Sequence, residues 1–454
     1  MSMRRRTDGK QSELWIASED IAESPGHPFY RKLNSVLRKH GFDTFVEALC
    51  KKHYGNKGRP SVEPGNYFRM LFIGYFEGIG SERGIEWRCA DSLSLREFLG
   101  LRLSDRVPDH SSLSRIRQRL PLEVHMEVFS WVVKVLGEEK LLRGRSLGVD
   151  ATSLEANAAM RSIVRRDTGQ SYDKFLEELA RNAGIESPTR EDLAKIDRHR
   201  RGKGSNKEWK SPSDPDAGIM KMKDGRTHLA HKVEHAVDLE TEAVVAVHVR
   251  PGPTGDTKTG VETAELAVAN VESAQGSLGV RDVVADRGYH SNGVLSELEE
   301  VGLRSCVAEP KRGRRRWKGK GEERDLVYAN RRRVKGKRGN QLMRWRAERV
   351  ERAFQHCYGR GDLRRCYLRS TEKVTKRLLI HVGAHNLGIL MRQIVGTGTP
   401  RQLAGLRAAL TDLFNVPQSL IRRSLMVFKA LGRTAADFST SLPTNPLPLA
   451  APIK

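Results

Sequence analysis

Apolar residues recur at helical spacing through the first third of the chain, then give way to strand-like runs near residue 143. From about 28 to 140 the pattern is helical. The segment YFRMLFIGYFEGIG (67–80) is apolar nearly all round, which predicts a core helix. GIEWRCADSLSLREFLGL (84–101) predicts two short helices with Ser92 or Ser94 as a cap. In PDHSSLSRIRQRL (108–120), Asp109 or Ser111 stands where an N-cap belongs, and Leu113, Ile116 and Leu120 follow at helical spacing. The other face carries Ser114, Arg115, Arg117 and Arg119. A short arginine-bearing helix preceded by other short helices has the form of a helix-turn-helix reader, with Arg115 and Arg117 facing a groove. The competing reading is an ordinary solvated face on a helical bundle.

Past residue 143 the period changes. SLGVDATSL predicts a strand, and Leu229 to Val249 contains two β-rich runs broken at DLETEA, an antiparallel hairpin. Residues 261–275 predict a helix, VRDVVAD a strand, 291–302 a helix and LRSCVAE another strand. Strands in a meander, then alternating with helices, predict an α/β domain with a mixed sheet flanked by helices. Such a sheet gathers ligand groups at strand carboxyl ends, where Asp150 and Asp286 are expected. Two stretches interrupt it. A polar insert over 160–226 contains the helix YDKFLEELARNAG, a second helix starting near Ser187–Pro188, and a loop over 198–216. A basic insert covers 311–349. LLIHVGAHNLGILMRQIVG (378–396) is one more apolar helix. The boundaries so drawn are a disordered basic leader (1–20), an all-helical region (21–142), the α/β domain (143–396), and a helical extension with a Pro- and Thr-rich tail (397–454).

Charge narrows the class of partner. The chain has 80 Lys and Arg against 56 Asp and Glu, a net charge of +24, and such a field attracts polyanions. Charge alone also fits a ribosome-associated or merely basic protein. The 311–349 segment holds 17 Lys or Arg against 4 acids, about half of the net charge. Its Arg314, Arg315, Arg316, Arg331, Arg332 and Arg333 are interleaved with Trp317, Tyr328 and Trp345, which suits phosphate tracking and base stacking; a solvated loop is the alternative. Five scattered cysteines without a CxxC pair support neither a zinc knuckle nor a disulfide framework. The N-terminus lacks an apolar core after its charges, and no apolar run is expected to reach the ~20 residues of a membrane span. A soluble protein of a reducing compartment, cytoplasmic and nucleoid-associated, is expected.

The carboxylates narrow the chemistry. An aspartate ending a strand is commonly a turn or cap residue, and Gly288 can close a turn after Asp286. Their shared context in one α/β domain argues for more. In LMRWRAERVERAFQHCYG, Met343, Ala347, Val350, Phe354 and Cys357 recur at spacings of 4, 3, 4 and 3 and predict one buried stripe. At ~100° per residue, Glu351 lies roughly 80° from the stripe centre and Glu348 roughly 140°. Glu351 therefore borders the cleft beside the sheet, whereas Glu348 points outward and pairs with Arg344 or Arg352. Asp150, Asp286 and Glu351 together predict an oxygen-rich pocket for a pair of Mg²⁺ ions, with Mn²⁺ as a substitute, acting on nucleic-acid phosphate.

GVDATSLEANAAMRS, VVADRGYHSN with EPKRGRRRW soon after, and ERVERAFQHCYGRGDLRR with HVGAHNLGILMR resemble the DDE-type transposases of bacterial insertion sequences, the insertion-sequence-five-like group in particular. The resemblance covers roughly residues 30–395. It implies a ribonuclease-H-like catalytic domain with Asp150, Asp286 and Glu351 as catalytic metal ligands, and a helical N-terminal region that helps bind double-stranded DNA at element ends. The family's tyrosine–arginine–glutamate–lysine signature is imperfect here. Ala347 stands four before Glu351 in place of arginine, and Tyr358 seven after it in place of lysine. Counting from Glu348, Arg344 fits and Gln355 does not, so Glu348 stays open as the third ligand. Lys232, on the strand expected beside Asp150, is placed to touch phosphate, with a surface lysine as the alternative. Asp256 reads first as a turn residue and His290 as a surface histidine. The expected activity is cleavage at element ends and joining to target DNA by a dimer. The rivals are a non-catalytic DNA-binding regulator and a ribonuclease-H-like nuclease without strand transfer.

Overall fold

The described residues between Pro28 and Glu138 are mainly helical, as the apolar spacing predicts. The helices are α1 (Pro28–Lys39), α2 (Phe42–Cys50), α3 (Pro64–Glu77), α4 (Glu82–Ala90), α5 (Leu93–Phe98), α6 (His110–Arg119) and α7 (Leu122–Glu138). Side-chain caps set several starts. Ser92 accepts from the Leu95 amide to open α5, and Asp109 accepts from the Ser112 amide at 2.8 Å to open α6. The apolar α3 is buried from Gly65 to Phe76. The computed structural model describes residues 26–55, 61–200, 204–276, 279–311, 313, 315–403 and 405. The expected leader (1–20), Arg314 and nearly all of the C-terminal extension lie outside the described residues.

The α/β part follows as β1 (Ser146–Glu155), β2 (Val164–Arg165), α8 (Tyr172–Asn182), α9 (Arg190–His199), β3 (Trp209–Lys210), β4 (Gly218–Lys221), β5 (Thr227–Asp238) and β6 (Val244–Pro251). Then come α10 (Gly260–Gln275), β7 (Asp282–Ala285), α11 (Asn292–Glu300), β8 (Arg304–Val307), α12 (Gly321–Lys335), α13 (Lys337–Phe354) and α14 (Thr371–Val395). The main sheet runs β4-β5-β1-β7-β8, with β6 also on β5. β5 is antiparallel to β1, β4 and β6, whereas β1, β7 and β8 run parallel. This mixed sheet between helices, led by a hairpin meander, is the ribonuclease-H-like architecture.

Three expectations are corrected here. In the polar insert, α9 starts at Arg190 and not near Pro188, because Thr189 and Asp192 form a reciprocal capping box. That insert also builds a small core of its own, in which Trp209 is buried against Tyr172 and Phe175. The basic stretch is no loop: most of it forms α12 and α13, and α12 packs on β8 and α13 on β1, β5 and β7. Finally, Thr371–Leu403 is, among the described residues, long and apolar enough to match a membrane span, contrary to the sequence expectation. The helix is nonetheless core: 78 % of its apolar window is buried, and α14 packs against α3, α7 and β6. The change of period near residue 143 is likewise no gap in packing, since α7 lies against both α10 and α14.

One close approach sets the height of α13 over the sheet. A Cβ on Gly148 would stand 2.5 Å from Leu239 Cδ2 and 3.0 Å from Val350 Cγ2. Only glycine lets the helix come this near to β1, two residues before Asp150.

Candidate active site

β1 continues to Glu155, so Asp150 lies within the strand and does not end it. β7, however, pairs with β1 only at Ser146–Gly148 and stops at Ala285. Asp150 thus projects just beyond the point where its parallel neighbour leaves. Asp286 follows that neighbour directly, and its Oδ1 accepts from the Gly288 amide at 2.9 Å to open a single 3-10 turn. Two strands deliver two carboxylates to one edge of the sheet. The side chain of Asp150 is 24 % exposed and that of Asp286 45 %.

A guanidinium lies between them. Arg346 of α13, only 11 % exposed, places Nη2 2.7 Å from Asp150 Oδ1 and 3.7 Å from Asp286 Oδ2. The contact is near but misaligned: that nitrogen makes no well-directed hydrogen bond, and Nε reaches the Val149 carbonyl at 3.4 Å. Burial pushes the Asp150 carboxyl up to about 6 despite Arg346, and the charges of Asp286 and Glu351 add to the rise.

Arg346 also explains why the buried stripe of α13 departs from its apolar spacing. Leu342, Val350, Ala353 and Phe354 are buried, while Ala347 is exposed. The inward face is rotated by roughly 45° toward Arg346. A charged residue on that face was the missed signal. Glu351 is exposed and lines a cleft of about 240 Å³ with Thr152, Ser153 and Tyr358. Glu348 pairs with Arg352, which also grips Glu242 at the end of the hairpin. Among the described residues no three His, Cys, Asp or Glu side chains converge closely enough to hold a metal ion. The Asp150–Asp286 pair nonetheless fits a divalent cation in donor chemistry, because its oxygens are hard and already share one positive charge.

A second ionic group lies on the opposite face of the sheet. Asp150 pairs in register with His235, and strand alternation sends Lys232 and Glu234 the other way. Lys232 Nζ is 2.7 Å from Glu234 Oε1 and 2.7 Å from Asp256 Oδ1. Thr259, Thr263 and Tyr289 all donate to Glu234, and the Lys232 and Glu234 side chains are 6 % and 0 % exposed. Burial raises the Glu234 carboxyl, but Lys232 and the threonines outweigh it and hold the group below its ordinary value. Asp256 is therefore more than a turn residue. A Cβ on Gly288 would lie 2.3 Å from Asp256 Oδ2 and 3.2 Å from Asp286 Oδ1, so this group abuts the turn that carries Asp286.

The expected DNA contacts divide sharply. Lys232 is buried and doubly paired, so it does not face phosphate. Arg117 is buried against Glu82 and donates to Ser114 at 3.2 Å, which removes it from any groove; Arg115 is exposed. Arg331 grips Glu309 at 2.6 and 2.9 Å, Arg333 donates to Ser305, and Arg315 reaches Glu309 and Asn292. Arg316 and Arg332 are exposed. The interleaved aromatics meet the chain's own arginines: Arg315 over Trp317, Arg331 over Tyr328 and Arg349 over Trp345. His290 is buried, not superficial. Tyr358, where the family signature has lysine, is buried with its hydroxyl 2.7 Å from His235 Nε2.

Two family models match the chain, a transposase domain (DUF772) over residues 18–119 and a transposase DDE domain over residues 190–387. The protein belongs to the DDE-type transposases of insertion sequences, which act on DNA as metal-dependent nucleases and transferases. No curated protein and no solved structure matches it. Asp286 and Glu351 fall inside the matched residues and Asp150 between the two matches.

Proposed function

We propose that Asp150, Asp286 and Glu351 are the catalytic metal ligands of a transposase that cuts DNA at insertion-sequence ends and joins the 3′-hydroxyl to target DNA. The observation that carries this reading is the pairing of Asp150 and Asp286 around one cation at the edge of β1 and β7. Mg²⁺, with Mn²⁺ as a substitute, would be held by these carboxylates; when bound, the ions activate an oxygen nucleophile and neutralise charge building at phosphorus. Glu351, exposed on a helix packed over Gly148, would have to swing toward the pair to complete the ligand set. No thiol is suited to compete with that oxygen as nucleophile, because the cysteines are buried and burial pushes Cys50 and Cys306 up to about 11. Of the arginines expected to meet phosphate, Arg115, Arg316 and Arg332 are exposed among the described residues. On this reading the enzyme works as a dimer on two ends, in the cytoplasm at the nucleoid, and the resemblance of its motifs favours the insertion-sequence-five-like group.

The test is cleavage and joining of labelled end DNA with Mg²⁺. Asp150→Asn, Asp286→Asn and Glu351→Gln should each lose both steps by about a thousandfold, since a catalytic metal contributes several kcal/mol. End binding should persist. Nicking without joining would make the protein a nuclease, and no cutting by the intact chain a regulator. Full cutting by Glu351→Gln beside a dead Glu348→Gln would move the third ligand to Glu348.

A further inference from the structure

We infer that Arg346 is the resident counter-cation of the Asp150–Asp286 pair, and that a divalent ion must displace it, so that metal loading is an ion exchange. The inference rests on the reading of this pair as a metal site. Two carboxylates at one sheet edge repel each other unless a cation lies near both, and the guanidinium fills that place at 2.7 and 3.7 Å. Its hydrogen bonding there is weak: its Nη2 is poorly directed, and Nε has one long bond to a carbonyl. The Lys232 group is the opposite case, sealed in and satisfied by hydroxyls.

The same helix carries both competitors for the pair. Arg346 and Glu351 are five residues apart on α13, roughly 140° around its axis. With Arg346 turned in, Glu351 points away, which accounts for the lack of a three-carboxylate cluster among the described residues. Withdrawal of the guanidinium makes room for the metal and then for the glutamate. Arg346 is thus a positioning residue that sets metal affinity.

The experiment is Mn²⁺ binding to the full chain without DNA, by calorimetry and electron paramagnetic resonance. Arg346→Gln should bind Mn²⁺ about tenfold tighter than the wild type, or about 1.4 kcal/mol. Without metal its Tm should fall, and Mn²⁺ should raise that Tm more than it raises the wild type's. Arg346→Lys, which keeps the charge on a shorter reach, should lie between the two and serves if the glutamine variant does not fold. Exposed Arg344→Gln should match the wild type. Unchanged or weaker Mn²⁺ affinity in the Arg346 variants would overturn the inference. Undiminished Mn²⁺ binding by Asp150→Asn and Asp286→Asn would instead overturn the carboxylate reading itself.

Discussion

Two groups on opposite faces of one sheet each set a cation between two carboxylates, yet they are built for different ends. Around Lys232, the lone pairs of Glu234 are taken up by Thr259, Thr263 and Tyr289, and neither Lys232 nor Glu234 is open to solvent. Around Arg346, Asp286 is nearly half exposed and the guanidinium is poorly aligned. A buried ion pair is kept by the cost of leaving one partner alone, whereas a half-open one can trade its cation. The sealed group therefore reads as scaffold beneath the turn of Asp286, and the open one as the working edge.

Stability separates the two most strongly. Glu234→Ala leaves buried Lys232 with Asp256 alone and takes the acceptor from Thr259, Thr263 and Tyr289, and should cost about 3–5 kcal/mol. Asp286→Ala, taken from a solvent-washed pair, should cost below about 1 kcal/mol in metal-free buffer. Urea melts of both variants check this, and equal losses would erase the distinction between the faces. A smaller effect concerns acid. Burial pushes His235, behind Asp150, and His381 on α14 down to about 3, below the ~6.5 of an unfolded histidine. Between those values the unfolded chain binds the extra protons, so stability should fall as pH drops below 6.5, by about 1.4 kcal/mol per pH unit for each histidine. His235→Gln should flatten that slope by one proton, while the Glu234 group should add a loss only below its unfolded pKa, near 4.3. An unchanged slope would place the acid sensitivity elsewhere. The smallest effect lies at the surface. Arg316→Gln with Arg332→Gln should reduce the slope of log affinity for DNA against log salt by about 0.9 for each phosphate no longer neutralised. Arg331→Gln, which removes the closer of the two guanidinium partners of Glu309 and leaves Arg315, should act more on folding than on that slope. Equal slope changes would mean the ion-paired arginines also reach DNA.

Much of this was legible where the chain obeys one rule at a time. The hairpin β5–β6, the caps Ser92 and Asp109, and the helices α3, α10 and α11 follow from spacing and turn chemistry alone. Asp286 directly after its strand was legible in the same way, whereas Asp150, expected at a strand end, lies inside β1. What failed was the assumption that charge means surface. Arg117, Lys232, Arg331 and Arg333 are basic yet internally paired, because each finds a carboxylate or oxygen partner outside its own helical turn or strand face. Arg346 defeated the periodicity argument for the same reason: its partners lie on β1 and after β7, which no window on α13 contains. The loop alternative for 311–349 arose because arginines outnumber apolar residues, although α12 and α13 bury Val327 and Leu342 there.

The position of α14 in the chain has a consequence for the timing of synthesis. It is core to the helical layer through α3 and α7, and to the sheet through β6. Those elements are translated well over a hundred residues before it. A nascent chain still without α14 therefore lacks the helix on which both layers pack, which argues against their being completed in turn from the N-terminus. The packing shared by the two layers is therefore completed only after residue 395 has cleared the exit tunnel. A chain halted before Thr371 has every aspartate of the candidate site and no completed core on which to hold them.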